Sequence, residues 1–185
     1  RLEPDARDEV LLRLESDRAA RFRYMVGAYY YESRRSLEER HFAIAPTVFS
    51  GETRVDNVAL FGSIGFDFTD RWEATAELRY AEDTVGNYNA IARPTGPLIE
   101  NTFDSVSPRV TTTFKFTPEN MIYANVAKGN KPGVINPDPR FPPEVRFADE
   151  EESWNYEVGT KNRLFDGRVM ANLALYYIDW KDQQI

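Results

Sequence analysis

The side chains able to do chemistry are few. His41 is the single histidine, in SLEERHF, with Glu38 and Glu39 beside it, and there is no cysteine. An imidazole and two carboxylates are metal-ligand types. One histidine without thiolates is a thin donor set, and the stretch reads as a solvated charge run. Asp149 to Glu152 form an acidic DEEE cluster whose oxygens would suit Ca²⁺. It reads instead as a solvated segment where a loop meets a strand. KGNKPG (128–133) resembles a phosphate cradle, but it lacks the GxxxxGK[ST] spacing and a following helix. Glu73 and Glu77 share one strand face, yet nothing in the pattern supplies the apolar pocket that lifts a catalytic carboxyl. No Ser–His–Asp arrangement forms around a lone loop histidine. No catalytic residue, metal ligand or cofactor site is assigned, and the chain is read as not an enzyme.

The positioning elements are strands. From Trp72 to Tyr80 the even positions are Trp, Ala, Ala, Leu, Tyr, and the odd ones Glu, Thr, Glu, Arg. This period of two marks a strand with one apolar and one polar face. It recurs, predicting eight strands at about 7–15, 21–34, 56–68, 72–84, 104–116, 121–129, 151–163 and 168–181. Short connections with turn residues (SDRAA, TDR, TPEN, FDG) alternate with long loops at about 35–55, 85–103 and 130–150. An all-β antiparallel up-and-down meander follows, with short turns on one side and long loops on the other. That is the pattern of an outer-membrane β-barrel.

Aromatics make up 14% of the 185 residues, in a chain of net charge −7. On the apolar face they sort to two heights. Phe22, Phe66, Phe68, Trp72, Phe114 and Phe116 lie near the short turns. Tyr30, Tyr80, Trp154, Tyr156 and Tyr177 lie near the long loops. Small and aliphatic residues lie between, the arrangement of two membrane girdles around a lipid-facing band. Glu77, Arg79, Arg109, Glu157 and Lys161 fall on the opposite face and are expected to line the lumen. The acidic balance gives no basic footprint for nucleic acid. Two other readings stay open: a complete eight-stranded outer-membrane barrel with a structural or adhesive role, and a soluble lipocalin-like or β-sandwich binding protein.

Three stretches carry a family resemblance. VALFGSIGFDFTDRWEATAELRYAEDT (58–84), FDSVSPRVTTTFKFTPENMIYANVAKGNKPGVIN (103–136) and EESWNYEVGTKNRLFDGRVMANLALYYIDWKDQQI (151–185) resemble the barrel of TonB-dependent outer-membrane receptors of the iron-complex type. RFRYMVGAYYYE (21–32) fits the same family. The most specific parts are the Ser107-Pro108-Arg109 turn into a strand, YANVAKGNKPG, and the hairpin WNYEVGTKNRLFDGRV.

The resemblance implies a barrel of about 22 strands with a plugged lumen. Residues 1–185 would be a partial barrel domain, an internal segment to which a plug and further strands belong. It further implies the outer membrane of a Gram-negative bacterium as location. The partners would be outer-membrane lipid, the receptor's own plug, the TonB complex acting through that plug, and an iron–siderophore or similar large solute. Tyr88, Arg93, Arg140 and Phe141 are placed in the ligand-capturing loops by position alone.

Overall fold

A computed structural model describes residues 6–41, 47–91, 98–136 and 142–184. Eight strands form one antiparallel sheet: β1 (Ala6–Glu15), β2 (Phe22–His41), β3 (Thr47–Thr69), β4 (Trp72–Ile91), β5 (Ile99–Thr117), β6 (Asn120–Lys131), β9 (Glu151–Leu164) and β10 (Val169–Lys181). The short strands β7 (Val134–Ile135) and β8 (Phe147–Ala148) pair with each other between β6 and β9, with a 3-10 turn at Pro143–Val145. Each long strand pairs with its chain neighbour, so the sheet is a meander.

The short turns are closed by their own side chains. Thr69 Oγ1 accepts the N–H groups of Arg71 (3.2 Å) and Trp72 (3.0 Å). Thr117 Oγ1 repeats this with Glu119 N–H (3.3 Å) and Asn120 Nδ2 (2.8 Å). At the last hairpin Phe165, Asp166 and Gly167 all take left-handed backbone, with φ of 56°, 55° and 82°. Such geometry suits a tight hairpin turn and is unusual for a bulky residue such as Phe165.

At the opposite end two expected loops are corrected. β2 and β3 stay in register out to His41↔Thr47, and β4 and β5 out to Asn87↔Ile99. The regions assigned as loops at about 35–55 and 85–103 are therefore largely strand. The ladder continues because backbone pairing needs no apolar face, so strand persists where the alternation has faded. Pro108 lies inside β5 opposite Leu78, within the strand expected at about 104–116, so Ser107-Pro108-Arg109 is not a turn. The β5–β6 ladder begins at Arg109↔Ala127, next to this residue without an N–H. Asn130 Nδ2 reaches across instead, to Val106 O (3.2 Å) and Ser107 Oγ (2.8 Å).

This sheet has little core. Its accessible surface is 13328 Å² for 21.4 kDa. A compact monomer of that mass exposes about 9,100 Å². β1 and β10 are each paired on one side only among the described residues. The described residues thus form a single layer, neither a sandwich of two packed sheets nor a barrel closed from eight strands.

Cross-strand register carries one apolar row through seven strands: Tyr24↔Ile64↔Ala76↔Val110↔Val126↔Tyr156↔Tyr177. It starts beside the lower aromatic level on β2 and ends in the upper level on β9 and β10. Six spacings of about 4.8 Å, with strands tilted by about 40°, raise such a row by about 19 Å. Along β4 the eight steps from Trp72 to Tyr80 climb about 20 Å at the same tilt. The two figures agree, so one tilt makes both aromatic levels horizontal.

Candidate functional site on the polar face

Odd positions on β1 to β6 and β9, and even ones on β10, share one face of the sheet. Glu77, Arg79, Arg109, Glu157 and Lys161 all lie on it. They form two groups. In the first, Arg109 Nη1 stands 3.4 Å from Glu77 Oε2, its register partner. Arg79 Nη2 donates to Asn57 Oδ1 (3.1 Å), and Asn57 Nδ2 donates to Asp83 Oδ1 (2.6 Å). The Arg79 guanidinium also lies 5.4 Å from the Tyr29 ring, which stacks on Tyr31. In the second group Tyr123 donates its hydroxyl to Glu157 Oε1 (2.5 Å), and Lys161 Nζ lies 5.5 Å from the same ring. Thr111 Oγ1 donates to Asn125 Oδ1 (3.0 Å) across the β5–β6 pair. Near the short turns Asp67 joins Arg23 at 2.6 Å, and Glu73 sits 3.9 Å from Arg23 and 3.8 Å from Lys115.

Charge on this face is therefore mostly paired within it. A shallow groove of about 380 Å³ opens between Leu11, Met25, Phe61, Arg79 and Arg109. Such a face can hold a hydrated or polar partner without large desolvation. Among the described residues no three His, Asp or Glu side chains converge as a metal site.

Phe22, Trp72, Phe114, Trp154 and Tyr177 sit on the other face. Trp72 pairs with Phe114, stacks on Phe68 at 4.4 Å, and donates from Nε1 to Thr112 Oγ1 (2.9 Å). Trp154 stacks on Tyr156 at 6.3 Å, and Tyr156 meets Tyr177 at the same distance. Tyr88 also belongs to this face. It lies on β4 rather than in a loop, with the Arg54 guanidinium 5.5 Å from its ring. Arg93, Arg140 and Phe141 lie outside the described residues.

The acidic cluster needs correction. Glu151 is 5% exposed, not solvated. It accepts hydrogen bonds from the Gln184 backbone N–H (2.7 Å), Lys131 Nζ (3.0 Å) and Trp180 Nε1 (3.1 Å). The Gln184 N–H first, then Lys131 and Trp180, hold its carboxyl below the usual range against the cost of burial. What this group contributes is thus present above about pH 4.3 and is lost as pH falls through its lowered pKa. Burial, and then Asp104, Glu152 and Asp83, push the neighbouring Glu150 upward. The sequence held one signal for Glu151: Lys131, of opposite charge, flanks the other end of the same long loop and pairs with it. Asn57, Asp83 and Gln184 carried no signal, because their partners come from other strands.

The comparisons agree with this geometry. The family profile described as "TonB dependent receptor-like, beta-barrel" matches residues 6–185. A pesticin receptor of Yersinia pestis is 26% identical over 139 residues, covering 74% of this chain and 20% of that protein. The metal-pseudopaline receptor CntO of Pseudomonas aeruginosa is 28% identical over 133 residues, covering 69% of this chain and 18% of that protein. The chain therefore spans about a fifth of the length of these relatives. Among solved structures, the ferric yersiniabactin uptake receptor FyuA of Yersinia pestis superposes with a TM-score of 0.81 at 24% identity, over 98% of this chain and 29% of that one. The ferric-catecholate import receptor Fiu of E. coli K12 gives 0.63 at 13% identity, over 95% and 31%. A family profile that matches nearly every residue, joined to an open meander of the receptor-barrel fold, places this chain in the TonB-dependent receptor β-barrel family.

Proposed function

We propose that the chain is part of the wall of an outer-membrane transporter that imports an iron–siderophore or a similarly scarce large solute. One observation carries the reading. The sheet is two-faced, with an apolar surface banded by two aromatic levels and, behind it, a charged surface whose groups pair among themselves. The apolar face then meets lipid in the outer membrane of a Gram-negative bacterium. The polar face lines the lumen against the receptor's own plug, through which the TonB complex delivers energy. The role is binding and passage, not catalysis. The metal-pseudopaline, ferric yersiniabactin and ferric-catecholate receptors to which the chain is similar are consistent with a chelated metal as cargo. Arg93, Arg140 and Phe141 are proposed for the capture surface, on the segments that join strands at the long-loop end. Tyr88 is proposed at its outer rim.

The three tryptophans test the sidedness within the parent receptor. Trp72 and Trp154 lie on the apolar face, and Trp180 points to the polar face against Glu151. In single-tryptophan variants in liposomes, lipid brominated near the headgroup should quench Trp72 and Trp154 and spare Trp180. Equal quenching of all three, or of none, sinks the membrane assignment. Import is tested by radiolabelled iron–siderophore uptake. Replacing residues 133–148 by a short Gly-Ser link should weaken ligand binding at least tenfold. Unchanged affinity removes this loop from the capture surface.

A further inference from the structure

Residues 132–136, with β8 paired to β7, do not project away from the sheet. They fold back over its polar face. Two features direct this. Above Arg109 the β6 side of β5 is without a ladder partner, because Pro108 interrupts the pairing. The upper polar face there carries apolar residues, Val85 on β4 and Phe103 on β5. Ile135 of β7 packs against both and is 6% exposed, in the buried apolar cluster of the described residues. Asn87 Nδ2 donates to Ile135 O (3.0 Å). Gly133 permits the approach. A Cβ there would stand 2.3 Å from Ala148 O and 2.4 Å from the Phe103 ring.

The base of this segment is tied by one side chain. Gln184 Nε2 donates to Pro132 O (3.1 Å) and Asp149 O (2.9 Å), which bracket the loop. The backbone N–H of Gln184 binds Glu151, which also holds Lys131 and Trp180. Asp182, at φ 54°, turns the chain after β10 so that Gln184 faces the loop. Two-residue strands such as β7 and β8 do not persist alone in water. The packing under Ile135 and the ties at Gln184 must hold them.

The geometry points to a latched strap: β7, with β8 paired to it, lies inward across β4 and β5 in the resting protein, and Gln184 with Glu151 is the latch. Its consequence, though not the latch itself, rests on the import reading: the strap narrows the passage at the long-loop end, so cargo meets a preformed wall there. The Gln184 N–H and Lys131 favour the charged form of Glu151, so the latch stays closed through the neutral range.

Hydrogen exchange on the intact receptor without ligand decides it. The Asn136 amide, bonded to Arg146 O (2.7 Å), and those of β7 and β8 report strap closure. In the wild-type receptor they should be protected well beyond free-peptide rates. Q184A removes two hydrogen bonds and should lower that protection about tenfold. Q184E, of equal size, also sets a carboxylate against two carbonyls and Glu151, and should lower it further. Exchange in β4 and β9 should not change in either variant. Free-peptide exchange of the strap in the wild type overturns the proposal, as does undiminished protection in Q184E. The measurement needs no ligand, so it judges the latch separately from import.

Discussion

Arginine at position 110 is expected to destabilise the parent receptor in a bilayer by about 2–4 kcal/mol. Val110 is 53% exposed in the sheet and pairs with Ala76 on one side and Val126 on the other. Ala76 lies midway along β4 between Trp72 and Tyr80, so position 110 falls at the centre of the apolar band. Nothing there can solvate a guanidinium. Ile122 shares the apolar face but pairs with Phe114, at the lower aromatic level. Arginine there reaches the headgroups and should cost only about 0–1 kcal/mol. Thr113→Arg places the same group on the polar face opposite Glu73 and should be nearly neutral. Urea unfolding in liposomes measures all three. A protein core would penalise Val110→Arg and Ile122→Arg alike, since burial by protein has no depth profile. Equal costs at 110 and 122 would therefore falsify the lipid-facing assignment.

Gly27→Ala is the second large effect expected. Gly27 pairs with Arg13 on β1 and Phe61 on β3, and the Phe61 ring occupies the space beside it. An added Cβ would stand 2.3 Å from Phe61 Cζ and 2.7 Å from Leu12 O. The ring can rotate away, but the carbonyl belongs to the β1–β2 ladder and cannot move without strand β1. The overpacking should cost about 1–3 kcal/mol. Gly159 offers a contrast. The three atoms nearest its Cβ would all belong to the Tyr123 side chain, at 2.6 to 2.7 Å. Tyr123 can swing aside, giving up its bond to Glu157, for a cost of about 1 kcal/mol. Double variants separate the two cases. Tyr123→Ala should absorb nearly all the clash of Gly159→Ala. Phe61→Ala should relieve Gly27→Ala only in part, because the Leu12 carbonyl remains. Full relief at Gly27 would show that the side chain alone sets the constraint.

Much of the architecture was legible because a strand's burial pattern is local. Alternation from Trp72 to Tyr80 needs no knowledge of other strands, and a Thr that caps its own turn acts within three residues. Strand centres, short turns and the two faces follow from such terms. The long-loop ends were not legible. In Ser33–His41, SRRSLEERH, both faces are polar, so no periodicity remains, yet the ladder to β3 continues. β10 presents the opposite difficulty. Met170, Ala174, Tyr176 and Ile178 make its polar-side positions apolar too, so period two blurs there.

The sequence by itself determined the antiparallel meander, the sidedness of most strand centres, the two aromatic heights and the family. Each depends on residues a few positions apart or on composition along one strand. Tertiary structure alone decided that the sheet stays open, that Pro108 parts β5 from β6, and that the segment after β6 turns inward over Val85 and Phe103. It alone joined Glu151 to Lys131, Trp180 and Gln184, and so made a buried anchor of an apparently solvated carboxylate. Those outcomes depend on register between strands and on hydrogen bonds spanning 20 to 52 residues, such as Lys131–Glu151 and Gln184–Pro132. Pairings at that separation leave no periodic trace in the chain, because neither partner's neighbours are constrained by them.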